Sequence, residues 1–149
     1  MRIALDTNVL AYAEGVNGGE RRRLVLELLG RIEPHFVVLP VQVLGELFNV
    51  LVRKAGRSRA EARNAIISWR DAFAVADTTP EVLTAATDLA AAHALGIWDA
   101  VIVAVASRAG CRLLLTEDLH AGFVWGGVEI ADPFADAPHP SLEALFKHR

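Results

Sequence analysis

Apolar and polar residues alternate between two rhythms along the chain. Short aliphatic runs of strand length, Arg2 to Leu5, Phe36 to Leu39, Phe73 to Ala76, Arg112 to Leu115 and Val128 to Ile130, are separated by longer stretches with helical spacing. Asn17-Gly18-Gly19 signals a loop, and the helix after it places Leu24, Leu28, Leu29 and Ile32 at helical spacing up to Pro34. Pro40 suits the first turn of a helix that runs to about Lys54 and ends at Gly56. Ser58 followed by Glu61 predicts a capping box for a helix to about Asp71. Pro80 opens an Ala- and Leu-rich helix reaching Gly96, and Asp99 is expected to open another, apolar all round from Ala100 to Ala106, that closes at Gly110. Strands that alternate with helices imply an α/β fold with a parallel sheet covered on both faces.

In such sheets, chemistry gathers outside the carboxyl ends of the strands, and several acids fall there. Asp6 ends the first strand, Glu117 and Asp118 follow the strand Leu113 to Leu115, and Asp99 stands at a helix entrance. Asp6 and Asp99 each have a purely structural alternative, capping the helix that follows. Glu46 is harder to explain that way. On its largely apolar helix, Gln42, Glu46, Asn49 and Arg53 form one polar stripe, and Gln and Asn stand where a solvated face usually carries Lys and Glu. We read the stripe as one wall of a polar cleft. Carboxylates about 4 Å apart repel by roughly 4 kcal/mol per pair at an effective dielectric near 20, a cost that a divalent cation reverses. Oxygen ligands without Cys or His suit Mg²⁺ or Mn²⁺ better than zinc.

Composition narrows the choice. The chain has 149 residues, the size of a single domain over residues 1–149, and one cysteine, Cys111, so no intrachain disulfide forms. The first apolar run meets Asp6 too early to form a signal-peptide core, and the run Leu95 to Ala106 is too short and too interrupted to span a bilayer. We therefore expect a cytoplasmic protein with no membrane association. A hydrophobic content of 53% is high for so short a chain and suggests an apolar interface such as a homodimer's. With 15 basic against 18 acidic residues the formal net charge is −3, so any nucleic acid must be held locally. Candidate patches are Arg21-Arg22-Arg23, Arg53-Lys54 with Arg57, Arg59 and Arg63, and Lys147-His148-Arg149, although such clusters are commonly just solvated helix faces. The five histidines show no ligand spacing, and neither a Ser-His-Asp signature nor a glycine-rich phosphate loop is present. Trp69, Trp98 and Trp125 are candidates for stacking on bases, with core packing as the commoner role.

The segments Leu5-Asp6-Thr7-Asn8-Val9-Leu10, Gln42-Val43-Leu44-Gly45-Glu46-Leu47, Trp98-Asp99-Ala100-Val101-Ile102-Val103-Ala104 and Leu115-Thr116-Glu117-Asp118-Leu119 together resemble the motifs of PIN domains, in the family's order. The close, Gly126-Gly127-Val128 to Pro133-Phe134, is similar to one bacterial subfamily. The resemblance covers nearly the whole chain. It implies a three-layer α/β/α domain acting as a Mg²⁺- or Mn²⁺-dependent endoribonuclease, commonly the toxin of a VapBC-type toxin–antitoxin pair, homodimeric and inhibited by a cognate antitoxin. On that pattern Asp6, Glu46, Asp99 and Asp118 bind metal, while Thr7, Asn8, Gln42 and Thr116 orient them by hydrogen bonds. Pro40 and Ile97 depart from the pattern, standing where hydroxyl residues are common. Three other readings stay open. A haloacid-dehalogenase-like phosphohydrolase would want a second aspartate two residues after Asp6, where this chain has Asn8. A catalytically silent binding module would not need all four acids. A nuclease for other RNA or for structured DNA would share the fold.

Overall fold

The computed structural model describes residues 1–146, so the basic tail 147–149 lies outside the described residues. Six strands form one sheet: β1 (Arg2–Leu5), β2 (Val37–Pro40), β3 (Ala74–Ala76), β4 (Cys111–Leu115), β5 (Val124–Trp125) and β6 (Val128–Ala131), in the order β3-β2-β1-β4-β6-β5. All neighbours run parallel except β5 against β6. Ile3, Ala4 and Leu5 are fully buried between β2 and β4, and Leu113 to Leu115 pair with them, as continuous aliphatic runs must when both faces of a sheet are covered.

Among the described residues the α-helices are α1 (Thr7–Ala13), α2 (Gly19–Gly30), α3 (Val41–Arg53), α4 (Arg59–Ala72), α5 (Pro80–His93), α6 (Ile97–Arg108) and the single turn α7 (Pro140–Glu143), and a 3-10 turn, Pro34–Phe36, leads into β2. α1 packs on α2 and α3, α3 packs on α4, and α5 packs on α6. The chain steps from β1 out to β2 and β3 and then returns across β1 to β4. Right-handed crossovers therefore put α1–α4 on one face and α5–α6 on the other. α3 and α6 also touch. The point where the direction of winding reverses lies between β1 and β4, whose carboxyl ends deliver Asp6 and Thr116 side by side.

Several elements depart from the expectation. The capping box forms as read, with Glu61 N–H donating to Ser58 Oγ at 3.1 Å and Ser58 N–H to Glu61 Oε1 at 3.2 Å. Pro40, however, closes β2 and precedes α3 rather than entering its first turn. α6 starts two residues before Asp99, with Gly96 in the capping position, so Asp99 lies inside the first turn and is not the cap. α2 ends at Gly30 and buries Val25, leaving Leu24 at the surface. β5 and α7 were not foreseen. β5 reaches β6 through Gly126-Gly127, both at positive φ (56° and 82°), the backbone of a tight two-residue hairpin. A side chain at Gly126 would also collide with Ser107, whose hydroxyl donates to the Gly126 carbonyl at 2.7 Å. No helix among the described residues is long and apolar enough to cross a membrane.

Candidate active site

Asp6 is the first residue past β1 and is 4% exposed. Its backbone N–H extends the sheet ladder to the Leu115 carbonyl at 3.0 Å. One carboxylate oxygen accepts the Thr7 N–H at 2.7 Å, which is the capping role. The other accepts the Thr116 hydroxyl at 2.8 Å, from the end of β4. That hydroxyl itself accepts from the Asn8 side-chain amide at 2.9 Å and from Asp118 N–H at 3.1 Å, so both lone pairs are used and its proton is directed at Asp6. The Asn8 amide also donates to Asp118 Oδ2 at 2.9 Å. From the opposite side, the Thr7 hydroxyl donates to Glu46 Oε2 at 2.5 Å, and the Gln42 amide to Glu46 Oε1 at 3.2 Å. The four residues expected to orient the acids thus all bond to them or to one another.

The charges are felt at short range. Burial, with the like charges of Asp99 and Glu46 added, pushes the Asp6 carboxyl up to about 6, although the Thr7 and Thr116 hydrogen bonds pull the other way. Asp99 is raised by burial first and then by Glu46 and Asp118. Asp6, Glu46, Asp99 and Asp118, drawn from four separate places in the sequence, therefore stand at one end of the sheet, and no cation among the described residues neutralises them. As the side chains stand, no three acid, histidine or cysteine groups among the described residues close tightly enough to grip an ion. The donor set nonetheless fits one: hard oxygens only, with repulsion that a dication relieves.

Not every acid at this end joins. Asp132, just past β6, closes its own turn by accepting the Phe134 N–H at 2.8 Å. Glu117 accepts the Tyr12 hydroxyl and pairs with Arg21 Nη2 at 3.3 Å. The Arg21 guanidinium lies over Phe134, 4.1 Å from the ring centroid. No local motif marks Tyr12 or Arg21, because their partners are distant in sequence. The basic clusters are also partly occupied: Arg23 pairs with Glu20 and Glu27, and Arg57 with Glu14.

Two hollows flank the acids. One, of about 320 Å³, is lined by Thr7, Asn8, Tyr12, Asn17, Lys54 and Asp118. The other, about 510 Å³ and more open, takes in Gln42, Glu46 and Asn49 of the polar stripe together with Trp98. Three of the four stripe residues therefore line a hollow, and Arg53 does not.

The PIN domain model matches residues 3–122. The chain belongs to the PIN domain family. This PIN domain carries all four acids within the matched span, which ends before β5. Compared by sequence, no curated protein matches the chain. Among solved structures it is similar to VapC20 of Mycobacterium tuberculosis, described as a sarcin–ricin loop cleaving toxin, at 23% identity and TM-score 0.65, covering 75% of this chain and 86% of that one. A toxin–antitoxin complex from Klebsiella pneumoniae matches at 20% identity and TM-score 0.65, covering 89% and 98%. A chain of the FitAB complex bound to a DNA fragment matches at 19% identity and TM-score 0.70, covering 92% and 99%. At these identities the likeness speaks for the three-layer PIN fold.

Proposed function

We propose that this PIN domain is a Mg²⁺- or Mn²⁺-dependent endoribonuclease, the toxin of a type II toxin–antitoxin pair, working in the cytoplasm as a homodimer restrained by a cognate antitoxin. The observation that carries the reading is the gathering of Asp6, Glu46, Asp99 and Asp118 at one end of the sheet, where burial first and then the like charges of Asp99 and Glu46 push the Asp6 carboxyl up to about 6, and where no ion pair among the described residues neutralises the acids. Support for the toxin role comes from the neighbours, among them VapC20 and the Klebsiella complex.

Asp6, Glu46, Asp99 and Asp118 would hold the ion. When bound, such an ion polarises a phosphodiester and acidifies water for in-line attack on phosphorus. The chain's own residues set the stage. The Thr116 hydroxyl and Thr7 N–H fix both oxygens of Asp6. Thr7 and Gln42 hold Glu46, and Asn8 holds Asp118. Asp99 is reached by no side-chain hydrogen bond among the described residues, so its carboxylate oxygens are unengaged by the chain. Lys54, at the edge of the smaller hollow, is placed to receive a phosphate.

Asp6→Asn keeps volume and removes charge, so it is expected to abolish cleavage while circular dichroism stays that of the wild type. RNA and flap DNA offered side by side in Mg²⁺, then in EDTA, test substrate and ion together. Full activity in the folded variant would refute the site, and a preference for the flap would refute the ribonuclease reading.

A further inference from the structure

The three tryptophans have separate fates. Trp69 is buried and its indole N–H donates to Glu14 at 3.0 Å. Trp125 is half-buried on the edge strand β5. Trp98, in the first turn of α6 and one residue before Asp99, is 55% exposed. It forms one side of the larger hollow, and Glu46 lies on the same lining. Val41, also exposed at 40%, adds a second apolar surface there.

Two further observations point to an occupant. Gly45 sits in the interior of α3 on the lining of this hollow, where glycine weakens a helix relative to alanine. Nothing in the fold asks for it: its φ is not positive, and an added Cβ would meet no atom within 4 Å. A side chain there would project into open space on the lining of the groove. The Thr78 hydroxyl, on the same lining, is buried without a hydrogen-bond partner among the described residues, although such groups are normally satisfied. An exposed indole, a floor without a side chain, an unused hydroxyl and the Asn49 amide offer a flat ring one stacking face and a few polar contacts at its edge.

We propose that this groove is a nucleobase subsite, in which the base of a nucleotide flanking the cut stacks on Trp98 over Gly45 with its polar edge toward Thr78 and Asn49. The proposal rests on the ribonuclease reading and adds to it where single-stranded RNA is gripped. Aromatic stacking suits a chain of net charge −3, which lacks a global field to hold a polyanion.

The test is fluorescence anisotropy of a labelled single-stranded RNA in EDTA, with a series of the same RNA carrying one abasic nucleotide at successive positions. Wild type should lose about tenfold in affinity at one position of the series, the size of a single base stack. Trp98→Leu should lose about the same on intact RNA and become indifferent to that abasic position, while Trp98→Phe retains most of the affinity. Gly45→Ala should raise Tm by about 2 °C yet weaken binding, a pairing that mere damage to the fold cannot produce. The inference is overturned if wild type does not bind RNA, if Trp98→Leu binds as wild type does, or if its loss adds to the abasic loss at every position. It is also overturned if Trp98→Leu leaves RNA binding intact and dissociates a dimer in sedimentation, since the groove would then be a contact between copies. Cleavage of the intact RNA by wild type in Mg²⁺ is scored separately: Trp98-dependent binding without cleavage would sink the ribonuclease reading and leave the subsite standing.

Discussion

The Thr116 hydroxyl meets three partners at once: Asp6, to which it donates, and Asn8 and Asp118, from which it accepts. Around it the neighbouring acids Glu117 and Asp118 part company, because successive side chains leaving a strand face opposite ways. Asp118 turns to the acid cluster and Glu117 to Tyr12 and Arg21. In Asp118→Asn the side-chain oxygen still accepts from Asn8 and only the charge is lost. We expect it to lower kcat at least tenfold, equivalent to about 1.4 kcal/mol of transition-state stabilisation. Glu117→Gln weakens a partly exposed ion pair of small energetic value, and its kcat should stay within about threefold of wild type. Parallel kinetics at saturating Mg²⁺ decide, and the reverse ranking would reassign the fourth acid to Glu117.

The carboxyl ends of β1 and β4 meet where the sheet's winding reverses, so one buried carboxylate is shared between the two strand ends. Asp6 ordinarily ionises near 3.8 and here near 6, so the folded protein holds this proton more tightly than the unfolded chain does. The stabilising contribution is complete below about pH 4, fades as the unfolded chain ionises first, and is gone once pH passes about 6. At about 1.4 kcal/mol per pH unit the total is on the order of 3 kcal/mol. Metal-free protein is therefore expected to lose Tm between about pH 4 and 6, with a shallower slope in Asp6→Asn, whose side chain does not titrate. Millimolar Mg²⁺ should restore Tm at the higher pH, since a ligand of the native state stabilises it by mass action and offsets the same repulsion. Identical slopes in the two proteins, or a melting curve that Mg²⁺ leaves unmoved, would remove the basis for a charged, ion-receptive strand end.

At the scale of the molecule, the apolar surplus is only partly absorbed by the core. Leu24 and Leu26 on α2 stay exposed, as do Ile67, Leu83 and Val124. Together with the edge strand β5, they leave surface that a second copy can cover. We expect a homodimer at micromolar concentration in sedimentation equilibrium, and a monomer there would contradict that expectation. Dimerisation is read independently of catalysis, so Asp6→Asn should sediment as wild type does.

Much of the fold was legible because its signals are local. Ile3-Ala4-Leu5 and Leu113-Leu114-Leu115 read as buried strands from their runs alone, Ala100 to Ala106 read as a helix buried all round, and Ser58 with Glu61 named its own cap. Asp6, Asp99 and Asp118 were legible as acids at strand ends or a helix entrance, and Glu46 from the polar stripe on its helix. That they meet was expected from acids at the strand ends of a parallel sheet and from the family resemblance, but no local signal carries it: it depends on β4 lying beside β1, and the Thr116 to Asp6 bond that marks it joins residues 110 apart in the chain. Periodicity also failed where elements are too short to show it. β5 has two residues, and α6 starts at Ile97 behind the Gly96 cap because backbone hydrogen bonds, not the first acid in view, set a helix start. Which tryptophan is exposed was likewise decided only in three dimensions: burial depends on what packs against a side chain, and for Trp98 the first turns of α3 and α6 leave its face open.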